Sequence, residues 1–104
     1  MVMRKVLTKD EAVLEIQGPL DGEAAGEFQR HMQELTAGGH AVVTLNLVGV
    51  PTMNSSAIGK ILLFRKKLDE EGRTLRIRGC SEALFRILQM IKFDMLMSID
   101  RAPP

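Results

Sequence analysis

The 104-residue chain has no tryptophan and no tyrosine, and its four aromatic residues are all phenylalanine, which leaves little to stack on nucleic-acid bases. Its one cysteine, Cys80, excludes an internal disulfide, and with His31 and His40 as the only histidines a four-ligand zinc site is poorly supplied with donors. An excess of one charge is missing too. Fourteen Lys+Arg against 13 Asp+Glu leave a net charge of +1, so no strong field recruits nucleic acid or an anionic membrane. No uninterrupted apolar run exceeds four residues and the first residues contain no signal core, so no segment reads as membrane-inserted. A reducing cytoplasm fits this cysteine usage.

What is present is the composition of an ordinary globular domain, 45% hydrophobic and 26% charged, long enough for one core and too short for two. Val6-Leu7 and Val13-Leu14-Glu15-Ile16 flank the polar Lys9-Asp10-Glu11, which predicts a hairpin. After Gly18-Pro19-Leu20-Asp21-Gly22, the spacing of Ala25, Phe28, Met32 and Leu35 predicts a helix stopped by Gly38-Gly39. The nearly continuous apolar run 41–47 predicts a central strand covered on both faces. A second helix follows from about Asn54 to Glu71, with Ala57, Ile58, Ile61, Leu62, Phe64 and Leu68 on its apolar arc and Leu63 off it. Arg65 falls within that arc, its stem expected to pack while the guanidinium reaches the rim or finds a carboxylate. Thr74–Arg78 alternates as a strand with one wet face, and Ser81 caps a third helix that buries Leu84, Ile87, Leu88 and Ile91. A last strand is expected over Met95–Ile99, with the domain ending at 100 and residues 101–104 as a disordered tail. The order β-β-α-β-α-β-α-β predicts a single small α/β domain: a mostly parallel, mixed sheet with an N-terminal hairpin strand and helices packed on it.

Most catalytic motifs fail. A phosphate-cradling loop ending at Gly59-Lys60 lacks its earlier glycine, and neither G-x-G-x-x-G nor G-x-S-x-G occurs. His31 and His40 read as solvated histidines, Cys80 as a small packed residue, and Met90, Met95 and Met97 as core filler. Glu23, Glu27, Asp69, Glu70 and Glu71 read as solvated helix faces. One segment stands apart, Met53-Asn54-Ser55-Ser56-Ala57-Ile58-Gly59. It places two hydroxyls in the first turn of a helix, beside N–H groups without intrahelical partners. Asn54 or Ser55 serves as the cap, and a phosphate on either hydroxyl adds about 1.5–2 negative charges where the helix tolerates them. Gly59, a weak helix former one turn in, suggests that something packs closely against the backbone there.

Gly18-Pro19-Leu20-Asp21, the run from Leu45 through Gly59 and the strand Gly72–Ile77 together resemble the STAS domain, the sulfate-transporter and anti-sigma-factor-antagonist family. The resemblance spans about residues 4–100. It implies an anti-sigma factor antagonist, a regulator of transcription and signal transduction that is not an enzyme and needs no cofactor or metal. Ser56 is then the phosphorylated serine, and Asp21, Met53, Asn54, Ser55, Ser56, Ala57, Gly59 and Lys60 form the partner-binding surface. The implied partners are an anti-sigma factor serine kinase and a serine phosphatase, without nucleic acid or direct membrane insertion, and with room for a homodimer. Asn46, Asn54 and Ala57 stand where the family has aspartate, aspartate and glycine. Three alternatives accompany this reading: a constitutive subunit of a stress-signalling or lipid-transport ABC assembly, a small-molecule-binding module, and a hydrolase pairing Ser56 with a distant histidine.

Overall fold

The computed structural model describes residues 2–92 and 99–101. Along the chain run β1 (Val2–Leu7), β2 (Glu11–Gln17), α1 (Ala25–Ala37), β3 (Val42–Gly49), α2 (Ser55–Glu70), β4 (Thr74–Cys80), α3 (Glu82–Met90) and β5 (Ile99–Arg101). The five strands form one sheet in sequence order, with β1 antiparallel to β2 and the other neighbours parallel. The expected element order and the hairpin are both present. Asp100 and Arg101, the first of them expected to end the domain and the second to begin the tail, lie in β5, while the predicted strand residues 95–98, Met95 and Met97 among them, fall outside the described residues.

The monotonic strand order decides where the core sits. Right-handed crossovers that always step the same way place every helix on the same side of the sheet. In register, Ala12, Val43 and Leu75 and then Leu14, Leu45 and Ile77 point to that side and are at most 3% exposed. Phe28, Met32 and Leu35 of α1, Ile61, Phe64 and Leu68 of α2, and Leu84 and Leu88 of α3 complete the same core. The opposite face carries Glu11, Glu15, Asn46, Arg76 and Arg78. The expectation that β3 is covered on both faces is therefore corrected: Val43, Leu45 and Leu47 are buried, whereas Val48 is 64% exposed. Thr44 remains buried on the outer face, donating from Oγ1 to Glu11 Oε2 at 2.7 Å.

Three further expectations change. His31 is 8% exposed rather than solvated, because it stands three residues after Phe28 and four before Leu35, inside the helical ladder that faces the sheet. Its Nε2 lies 3.7 Å from Glu27 Oε1, and the Nδ1 atoms of both His31 and the half-buried His40 are buried without a hydrogen-bond partner. On α3 and at its C-cap, Ile87, Met90 and Ile91 are 41%, 83% and 51% exposed. The buried stripe of α3 consists of Leu84 and Leu88, four residues apart, and these three side chains lie outside it. Arg65 behaves as expected, its Nη2 lying 3.3 Å from Asp69 Oδ2.

The end of α1 is closed from a distance. That helix has no basic residue in its last turn. Arg73, just before β4, instead donates from Nη2 to Leu35 O (2.9 Å), from Nη1 to Thr36 O (2.8 Å) and from Nε to His40 O (2.7 Å), while Nη1 also meets Glu71 Oε1 at 2.8 Å. The guanidinium thereby satisfies carbonyls that the helix leaves open and complements the negative end of its dipole.

Candidate functional site

The elbow between β3 and α2 is shaped by its own sequence. Pro51 cannot continue the sheet hydrogen bonding, and Asn54, in extended conformation, accepts Ala57 N–H on its side-chain oxygen at 2.9 Å and starts α2. Asn54 thus performs the capping expected of it. A second segment meets it there. Leu20 and Met53 form an isolated parallel bridge, with Leu20 N donating to Thr52 O at 3.0 Å and Asn54 N donating to Leu20 O at 2.9 Å. Asp21 follows directly, and its Oδ1 accepts from Glu23 N (3.1 Å) and Ala24 N (3.4 Å), tightening the turn that leads into α1. Two regions far apart in the chain, the Asp21 corner and the hydroxyl-bearing elbow, therefore share one surface.

On that surface Asp21, Asn54, Ser55, Ser56 and Gly59 are exposed and Lys60 is half-buried. The hydroxyls of Ser55 and Ser56 project from the first turn of α2, clear of the core. Lys60, one turn later, donates from Nζ to Ser56 Oγ at 3.1 Å. The i, i+4 spacing that allows this contact is legible in the sequence, although the pairing of these two residues was not anticipated.

Two of the eight expected docking residues do not reach the surface. Met53 is 7% exposed and Ala57 1%, because both lie on the side of the elbow that faces the sheet; they support the surface from beneath. Gly59 requires a correction of a different kind. A Cβ built at Gly59 meets no atom within 4 Å, so no part of the described chain packs against the bare backbone there. The glycine leaves open space beside the serines.

The charges near the elbow are divided. Asp21, Glu23 and Glu27 line a shallow depression with Pro19 and Ala24 at the start of α1. The first turn of α2 has no acidic residue. Among the described residues no group of three or more His, Cys, Asp or Glu is placed to hold a metal ion. Cys80 is buried at the end of β4, where burial first and the nearby Glu82 second push its thiol up to about 11, so it remains protonated at neutral pH. No helix among the described residues is long and apolar enough to cross a membrane.

The family model of the STAS domain matches residues 3–102. No curated protein matches at a significant level. Among solved structures, a candidate anti-sigma factor antagonist from Thermotoga maritima is similar, with 21% identity, a TM-score of 0.86 and coverage of 94% of this chain and 85% of its own. The Bacillus cell fate determinant SpoIIAA in its phosphorylated form is 18% identical with a TM-score of 0.74, over 95% of this chain and 90% of its own. A sulfate transporter family protein from Wolinella succinogenes is 18% identical with a TM-score of 0.76, over 92% of this chain and 80% of its own. At these identities the likeness is one of fold.

Proposed function

The chain belongs to the STAS domain family, and from that membership we propose that it is an anti-sigma factor antagonist, a binding switch controlled by phosphorylation of Ser56. The observation that carries this reading is the exposed Ser56 hydroxyl on the first turn of α2, on the surface that the Leu20–Met53 bridge joins to Asp21. In the unmodified state the surface of Asp21, Asn54, Ser55, Ser56, Gly59 and Lys60 docks on an anti-sigma factor that is also a serine kinase, which frees the sigma factor. The kinase transfers the γ-phosphoryl group of ATP to Ser56 Oγ; ADP leaves, and the hydroxyl proton passes to the kinase's base. The new phosphate carries about 1.5–2 negative charges into the contact and ends it. A phosphatase restores the hydroxyl by hydrolysis. The chain itself acts in the cytoplasm by binding and performs no catalysis.

The direct test is intact mass after incubation with ATP and a purified serine kinase of the histidine-kinase-like ATPase type. A gain of about 80 Da on the wild type and none on Ser56→Ala is expected. The same gain on Ser56→Ala overturns the assignment of Ser56. The fold shared with a sulfate transporter family protein supports a second reading, a constitutive contact within a larger assembly. Recovery of transporter or sensor subunits instead of a kinase with the tagged chain favours that reading.

A further inference from the structure

On α2, Ser56, Lys60, Leu63 and Lys67 recur at i, i+4, i+7 and i+11 and so share one flank of the helix. The cations of α2 differ in what already holds them. Arg65, on the other side, pairs with Asp69 at 3.3 Å, and Lys67 Nζ lies 5.7 Å from the centroid of the Phe64 ring. Among the described residues Lys60 meets no carboxylate within ion-pair distance; its side-chain partner is the Ser56 hydroxyl, at 3.1 Å. Asn54 is neutral and the first turn of α2 holds no acid, so no carboxylate of that turn competes for the Lys60 ammonium. A cation is thus positioned at the one oxygen that the proposed kinase would modify.

We propose that Lys60 is the built-in counter-cation of phosphorylated Ser56, so that modification withdraws this lysine from the docking surface as well as adding an anion to it. The inference rests on Ser56 being the modified residue. With Ser56 unmodified, Lys60 holds a neutral hydroxyl weakly and is free to turn to a carboxylate on the partner. With Ser56 phosphorylated, the terminal oxygens lie beside Nζ, and the weak neutral contact becomes a charge-assisted one. A partner with an acidic surface then loses its cation and meets a phosphate in the same step, which gives a one-turn helix contact control over both signs of charge. The partner chemistry that fits is accordingly a carboxylate-bearing surface with an apolar recess for Leu63, which is 52% exposed on the same flank.

The test separates this inference from the assignment of the kinase. Phosphoserine is installed at position 56 by nonsense-codon suppression, without any kinase, and the phosphate is titrated by phosphorus-31 NMR in the Lys60, Lys60→Arg and Lys60→Ala proteins. The effect of the helix end is common to all three and cancels. The second ionisation is expected about half a pH unit to one unit lower with lysine or arginine than with alanine. Coincident midpoints in the Lys60 and Lys60→Ala proteins overturn the proposal, whereas failure of a kinase to modify Ser56 overturns only the reading on which it rests. For the unmodified protein, Lys60→Ala is expected to weaken binding to the kinase of the mass experiment about three- to tenfold, with a shallower salt dependence. Unchanged affinity overturns the role of Lys60 in docking.

Discussion

Leu20 and Met53 face each other as a single parallel bridge, and the backbone bonds on either side of it, Leu20 N to Thr52 O and Asn54 N to Leu20 O, tie the start of α2 to the corner that begins the path into α1. This short ladder makes one surface of Asp21 and the serine elbow, and it fixes that surface to the sheet rather than to a free loop. Substitutions at the elbow therefore separate into those that change what a partner meets and those that change the support.

Ser56 belongs to the first kind. Ser56→Asp is expected to weaken binding to the cognate anti-sigma kinase at least about tenfold, which corresponds to about 1.4 kcal/mol, while Ser56→Ala stays close to wild type because the exposed hydroxyl has no fold-holding bond to lose. Isothermal titration calorimetry on both variants checks this, and equal affinities contradict an electrostatic switch.

Gly59 distinguishes the fold from the contact. Since a methyl group there meets nothing in the chain, Gly59→Ala is expected to raise stability by about 0.5–1 kcal/mol through helix propensity. The same methyl group intrudes on a partner that approaches beside the serines, so affinity falls as stability rises. Urea unfolding and a binding isotherm on one preparation give both signs, and a variant that is stabilised and binds normally removes Gly59 from the docking surface.

Arg73 is purely structural. Its guanidinium side chain is 9% exposed and serves three carbonyls at and beyond the end of α1. Arg73→Ala leaves them unpaired and is expected to cost about 3 kcal/mol in chemical denaturation. Arg73→Lys recovers less than half, because an ammonium has no planar fork to reach several acceptors together.

Cys80 gives a pH signature. Its thiol is raised to about 11 from an ordinary 9.0 by burial and then by Glu82. Folding therefore favours the protonated form: the stabilisation is complete below pH 9, where neither state is ionised, and is lost as pH climbs towards 11 because the unfolded chain ionises first. Alkylation by iodoacetamide at pH 8 is expected to be at least about 100-fold slower in the folded than in the urea-unfolded protein. Comparable rates in the two states contradict the burial of the thiol.

Much of this was legible in the chain because it depends on neighbours in sequence. The period of Phe28, Met32 and Leu35, the alternation of Leu75 and Ile77 with arginines, the Asn54 and Ser81 caps and the glycine stop after α1 all operate within a turn or two, where local geometry leaves few choices. Tertiary structure decided what depends on which face of the sheet is covered. Crossovers stepping in one direction left the outer face of β3 with Val48 bare and drew His31 inward beside Phe28, while Ile87 and Ile91, spaced like the buried Leu84 and Leu88, stand exposed. The elbow divides in the same way. Its hydroxyls, cap and i, i+4 lysine are local facts, whereas the sinking of Met53 and Ala57, the open space at Gly59 and the joining of Asp21 to Ser56 required two distant segments to share one bridge. Short-range pattern reports the backbone a residue prefers; only packing reports what stands above it.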